Sequence, residues 1–108
     1  MNVGEKINIE QVQKGREMNH ADIIKFLGKH GRRFWCWGAH AWVKMSDATL
    51  RFMVSGLKHK GHVYIRLNGL DYFDIYLTTT QGTIKQVFTD IGIENLFSVL
   101  DENIEISA

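Results

Sequence analysis

The stretch HVYIRLNGLDYFDIYL, residues 62–77, is two alternating apolar and polar runs joined across Asn68-Gly69. Alternation with a period of two marks half-buried strands, and Asn-Gly between such runs marks a hairpin. A two-residue turn at Asn68-Gly69 sets Leu67 opposite Leu70 and Ile65 opposite Tyr72. One of the two strands then turns its apolar side to water. A loop with an odd number of residues removes that conflict. The reading is therefore a three-residue loop, Leu67 to Gly69, with Gly69 left-handed and a bulge, pairing Val63 with Phe73. Val63, Ile65, Phe73, Ile75 and Leu77 then share the core face. Tyr64, Arg66, Tyr72, Asp74 and Tyr76 share the other, with His62 at its end. Every tyrosine of the chain falls on that second face.

Working outward, Leu50, Phe52 and Val54 alternate with Arg51 and Met53 and form a preceding strand. The basic turn GLKHKG, 56–61, connects the two. Ser46-Asp47 makes another turn, and residues 33–44 read as a strand interrupted by Gly38. Beyond the hairpin, Gln81-Gly82 turns the chain into a short fifth strand within TIKQVF, 83–88. Asn19 caps a helix over 20–29 whose buried side is Ile23, Phe26 and Leu27. A last helix opens at Asp90 or Gly92 and buries Ile93, Leu96, Phe97, Leu100 and Ile104. Asp101, Glu102 and Glu105 make its solvated side. The order predicts an α+β fold: an antiparallel four- to five-stranded meander with an N-terminal and a C-terminal helix packed on one face, in two layers. Residues 19–108 form this single domain. Residues 1–18, polar except for Ile7, Ile9 and Val12, form a flexible or docking N-terminal arm.

A chain of 108 residues with 44% hydrophobic and 23% charged residues can bury a core of its own. It has one cysteine and no proline. A lone cysteine excludes an internal disulfide and fits a reducing, cytoplasmic setting. MNVGEKINIE lacks the apolar core of a signal peptide. No apolar run reaches the ~18 residues of a membrane helix. The net charge of +1 conceals a segregation. Residues 14–66 hold eleven Lys/Arg against three acids, and residues 67–108 one base against seven acids. Such asymmetry suggests either a polyanion-binding face or two halves that neutralise each other.

RRFWCWGAHAW, residues 32–42, contains all three tryptophans. As an unbroken strand it puts Trp35 and Trp37 on one face, and Phe34, Cys36, His40 and Trp42 on the other. A bulge at Gly38 would align Trp35, Trp37, His40 and Trp42. The run is then either a central core strand or a stacking platform. On the second view, Arg32, Arg33, Trp35, Trp37 and Trp42 form one binding patch. Lys58, Lys60, Tyr64, Arg66, Tyr72 and Tyr76 form another. Rings that stack bases beside cations that hold phosphates suit single-stranded DNA or RNA. The alternative is a homodimeric or protein-interaction module, with an enzyme of unrecognised type third.

Nothing in the chain recommends catalysis. No Walker, G-x-G-x-x-G or G-x-S-x-G motif occurs. Cys36 and His40 would lie ~13 Å apart along a strand. His59-x-x-His62 has no third ligand nearby, so no metal or cofactor is expected.

Overall fold

The computed structural model describes residues 1–105. In it the hairpin pairs Leu67 with Phe73, Ile65 with Ile75 and Val63 with Leu77, between β3 (Lys60–Leu67) and β4 (Phe73–Thr78). The expected sharing of faces holds, but the register differs from the predicted one. The connecting segment is Asn68 to Tyr72, five residues rather than three. The Asn68 side chain decides this: its Oδ1 accepts from the backbone N–H groups of Leu70 and Tyr72, at 2.9 and 3.2 Å. The Asn68 N–H donates across the loop to Tyr72 O at 2.8 Å. The left-handed residue is Asp71, at φ 64°, and not Gly69. Any odd loop satisfies the burial constraint, and local side-chain chemistry selects the longer one.

Around this hairpin the sheet is a meander of five antiparallel strands in chain order. β1 (His40–Ser46) and β2 (Thr49–Ser55) precede β3, and β5 (Ile84–Ile91) follows β4. One face carries Leu50, Phe52, Val63, Ile65, Ile75 and Leu77. Two helices cover it: α2 (His20–Gly28) through Ile23 and Leu27, and α4 (Ile93–Ile104) through Leu96, Phe97, Leu100 and Ile104. Asn19 caps α2 by accepting from the Asp22 N–H at 3.1 Å. These elements follow the α+β reading, with TIKQVF inside a full fifth strand.

The other face is not left to water. Tyr64 and Tyr76, paired across β3 and β4, are 2% and 5% exposed. They pack with Val12 and Ile84 in a second buried cluster, to which Met1, Ile7, Met45 and Val87 add. The cover is the N-terminal segment, including the single turn α1 (Ile9–Val12). Gly4 N–H donates to Ile84 O, Ile84 N–H to Glu5 O, and Ile7 N–H to Gly82 O, each at 2.8 Å. Val12 O then accepts from Thr49 Oγ1 at 2.5 Å, and Gln13 O from Ser46 Oγ at 2.6 Å. Further on, Arg16 N–H reaches Leu67 O and Met18 N–H reaches Asp47 O. The arm is therefore bonded to four of the five strands or their turns.

Val12, fully buried, is the apolar centre of this second layer. Burying a valine contributes ~1.5–3 kcal/mol, and an unpaired hydroxyl in its place adds a desolvation cost. Val12→Ser is expected to lower stability by ~2 kcal/mol or more in urea unfolding. It should also expose tyrosine to solvent in ultraviolet difference spectra. A change below ~0.5 kcal/mol, the range of neutral surface substitutions, would show that the arm does not seal the sheet.

Candidate functional site

The tryptophan run is not a strand. Residues 32–35 form a single helical turn, α3 (Arg32–Trp35), and the strand starts only at His40. Gly31 and Gly38, at φ 60° and 62°, bracket the turn with backbone that side-chain-bearing residues rarely adopt. Between them, Trp35 N–H donates to Gly31 O and Cys36 N–H to Arg32 O, both i to i−4 bonds. Helical phase replaces strand alternation. Phe34 and Trp37, three apart, face inward with ring centroids 5.2 Å apart. Arg32, Arg33, Trp35 and Cys36 face outward and are exposed.

The three indoles consequently have three different environments. Trp37 is 0% exposed and stacks on Phe97 with centroids 5.0 Å apart. Trp42 is half-buried and stacks on Phe52 at 4.3 Å. Trp35 is 74% exposed. The expected row of indoles does not form.

Asp101 governs this arrangement. Expected on the solvated side of the last helix, it is 2% exposed. Its Oδ1 accepts from the Trp37 indole Nε1–H at 2.9 Å, and its Oδ2 pairs with Arg33 Nη2 at 3.1 Å. The carboxylate ties α3 to α4 and fixes which indole enters the core. No sequence signal marks it, because its partner Trp37 lies 64 positions away. Phe34 and Trp37 at helical spacing between two glycines are the signal that could have revealed α3.

The second predicted patch also separates. Tyr64 and Tyr76 lie in the second core, so neither offers a ring face to a partner. Burial pushes the Tyr76 hydroxyl above its ordinary pKa. Tyr72 sits in the hairpin loop, 45% exposed and away from the other two phenols in the strands. Arg66 donates to Asp74 Oδ2 at 2.7 Å and to Gln11 O at 3.2 Å. Lys58 donates from Nζ to Glu102 O at 3.0 Å, at the C-terminal end of α4, where a cation complements the helix dipole. Lys60 is exposed at the start of β3. Between these lysines His59 is buried, donating from Nε2 to His62 O at 3.2 Å, and burial holds its pKa below the usual imidazole range.

Three ion pairs bridge the two oppositely charged segments of the sequence. Arg16–Asp71, Arg33–Asp101 and Arg66–Asp74 each join the basic segment to the acidic one. What remains outward at α3 is Trp35 with Arg32, preceded in the chain by exposed Lys29 and His30. The His30 ring itself lies flat on Phe97, centroids 3.6 Å apart. Among the described residues no three His, Cys, Asp or Glu side chains converge on one point. No described helix is long and apolar enough to cross a membrane. No protein-family model, characterised protein or solved structure matches the chain.

Asp101→Ala removes the acceptor of a buried indole N–H, and is expected to cost ~1–3 kcal/mol in chemical unfolding. Arg33→Ala leaves the buried Asp101 carboxylate without its counter-charge and is expected to cost ~3 kcal/mol or more, although the arginine itself is exposed. Losses below ~0.5 kcal/mol in both variants would show that Asp101 does not hold α3 in place.

Proposed function

We propose that the protein is a small, non-enzymatic binding module that engages single-stranded DNA or RNA at the α3 ridge. The observation that carries this reading is the 74% exposure of Trp35 on a turn headed by Arg32 and Arg33. Exposing a whole indole forgoes the burial that stabilises the other two, so its use is sought in a ligand. A base stacked on an indole contributes ~1–3 kcal/mol, and adjacent cations hold the flanking phosphates. Arg32 and Lys29 have no carboxylate partner among the described residues. We place this activity in the cytoplasm, where an exposed unpaired Cys36 stays reduced.

A homodimer across the edge strand β1 is the second reading. It draws on the open side of β1 and on Val43, 37% exposed. Ala41 at φ 56° and two breaks in the β1–β2 register roughen that edge, a feature that discourages strand addition.

Titration with a mixed-sequence oligonucleotide at ~50 mM salt is expected to quench tryptophan fluorescence, with affinity falling steeply toward ~200 mM. Trp35→Ala should weaken binding by ~5- to 150-fold, equivalent to the loss of one stacked base. Arg32→Ala should flatten the salt dependence. Absence of binding at low salt, or equal affinity in Trp35→Ala, would exclude this reading. A mass that doubles with concentration and reverts when Val43 is changed to Asp would select the dimer instead.

A further inference from the structure

On the opposite side of the sheet from α2 and α4 lies a cleft of about 230 Å³ that the α3 ridge does not use. Lys6, Ile7 and Ile9 of the N-terminal segment form one wall, with residues 80–82 of the β4–β5 turn. Arg51 of β2 and His62 and Tyr64 of β3 form the floor. Arg51 and Tyr64 are direct cross-strand partners, and His62 is the diagonal neighbour of Arg51 on the same face.

Arg51 is the unusual member. It is half-buried in mid-strand, and its Nε, like that of Arg66, is sealed from water with no hydrogen-bond partner. No carboxylate pairs with it among the described residues. Arg66, two strand positions along β3 from Tyr64 on the same face, shows what the chain does elsewhere: it supplies Asp74. At Arg51 it supplies more positive charge instead, namely Lys6, whose Nζ donates to Gln81 O at 3.0 Å. Burial and the Arg51 charge also hold His62 below its ordinary pKa. A cation withdrawn from water without a counter-charge is unfavourable, and the deficit is removed by an anion that the chain does not itself provide.

We propose that this cleft is a binding site for an oxyanion, a phosphate or carboxylate group, held by Arg51 and Lys6 with the His62 ring as a further hydrogen-bond donor. A guanidinium fork matches the spacing of two oxyanion oxygens, and charge-assisted bonds of this kind are the stronger class. Ile7 and Ile9 add an apolar wall, which favours an oxyanion carried on a small organic molecule over the free ion. The site is independent of Trp35, so Trp35→Ala must leave it unchanged.

The test uses the full chain at constant ionic strength, titrated with inorganic phosphate, phenyl phosphate, acetate and benzoate, with chloride as the control. Chemical shifts are followed by NMR. Saturable shifts centred on Lys6, Arg51 and His62 are expected for at least one oxyanion. The phosphate–carboxylate comparison identifies the group, and tighter binding of the aromatic members identifies an organic carrier. Arg51→Met keeps an unbranched stem as far as the Nε position, replaces that unpaired atom with a methyl group and removes the charge. It should melt no lower than the parent and bind at least ~10-fold more weakly, the loss of a charge-assisted pair. Lys6→Met, exposed on the arm, gives a second loss without touching the sheet. Shifts that stay linear for every oxyanion, or an Arg51→Met variant that binds as the parent does, would overturn the proposal.

Discussion

A buried carboxylate on α4 sets the surface that this protein presents. Asp101 is withdrawn from water and therefore needs donors for both oxygens. It finds them in the Trp37 indole and the Arg33 guanidinium, four residues apart and brought to one carboxylate by the turn of α3. Trp37 is thereby held against Phe97, and the helical phase of α3 turns Arg32 and Trp35 outward. Were residues 32–38 extended, alternation would place Trp35 and Trp37 on the same side. The bond from Asp101 thus separates one indole that holds the core from one that is free to act outside it.

The sheet imposes the second constraint. Val63, Tyr64 and Ile65 are consecutive and all buried, so β3 is covered on both faces. Helices α2 and α4 cover one, and the N-terminal segment covers the other. Beneath that segment the Asp74 carboxylate is fully paired within the chain. Asp74 accepts from Arg66, from the Asn68 side chain and from the Asp90 N–H. Arg51 differs in one respect: Arg66, its neighbour on the same face, has a carboxylate partner, and Arg51 has none among the described residues.

Much of the architecture was legible in the residues. The meander, both main helices, the Asn19 cap and the sharing of faces in the β3–β4 hairpin follow from periodicity and the requirement that apolar sides meet. The length of that hairpin loop was not, because it depends on one carboxamide accepting two backbone bonds. The α3 turn was hidden by composition: a run of aromatic residues reads as a strand, and four helical residues are too few to establish a period. The cover over Tyr64 and Tyr76 was hidden because its few apolar residues, Ile7 and Val12 among them, follow no clear period in a mostly polar segment. Asp101 was hidden because an acid amid acids on a helix has no mark of burial until its distant donor is known.

The functional reading therefore rests on the division of labour among three tryptophans. The most direct measurement is site-resolved solvent access of the indoles, by collisional quenching or fluorine NMR of protein labelled with fluorotryptophan. Trp35 should be fully accessible, Trp42 intermediate and Trp37 inaccessible. A protected Trp35 together with an accessible Trp37 would contradict the placement of α3 and, with it, the proposed contact surface.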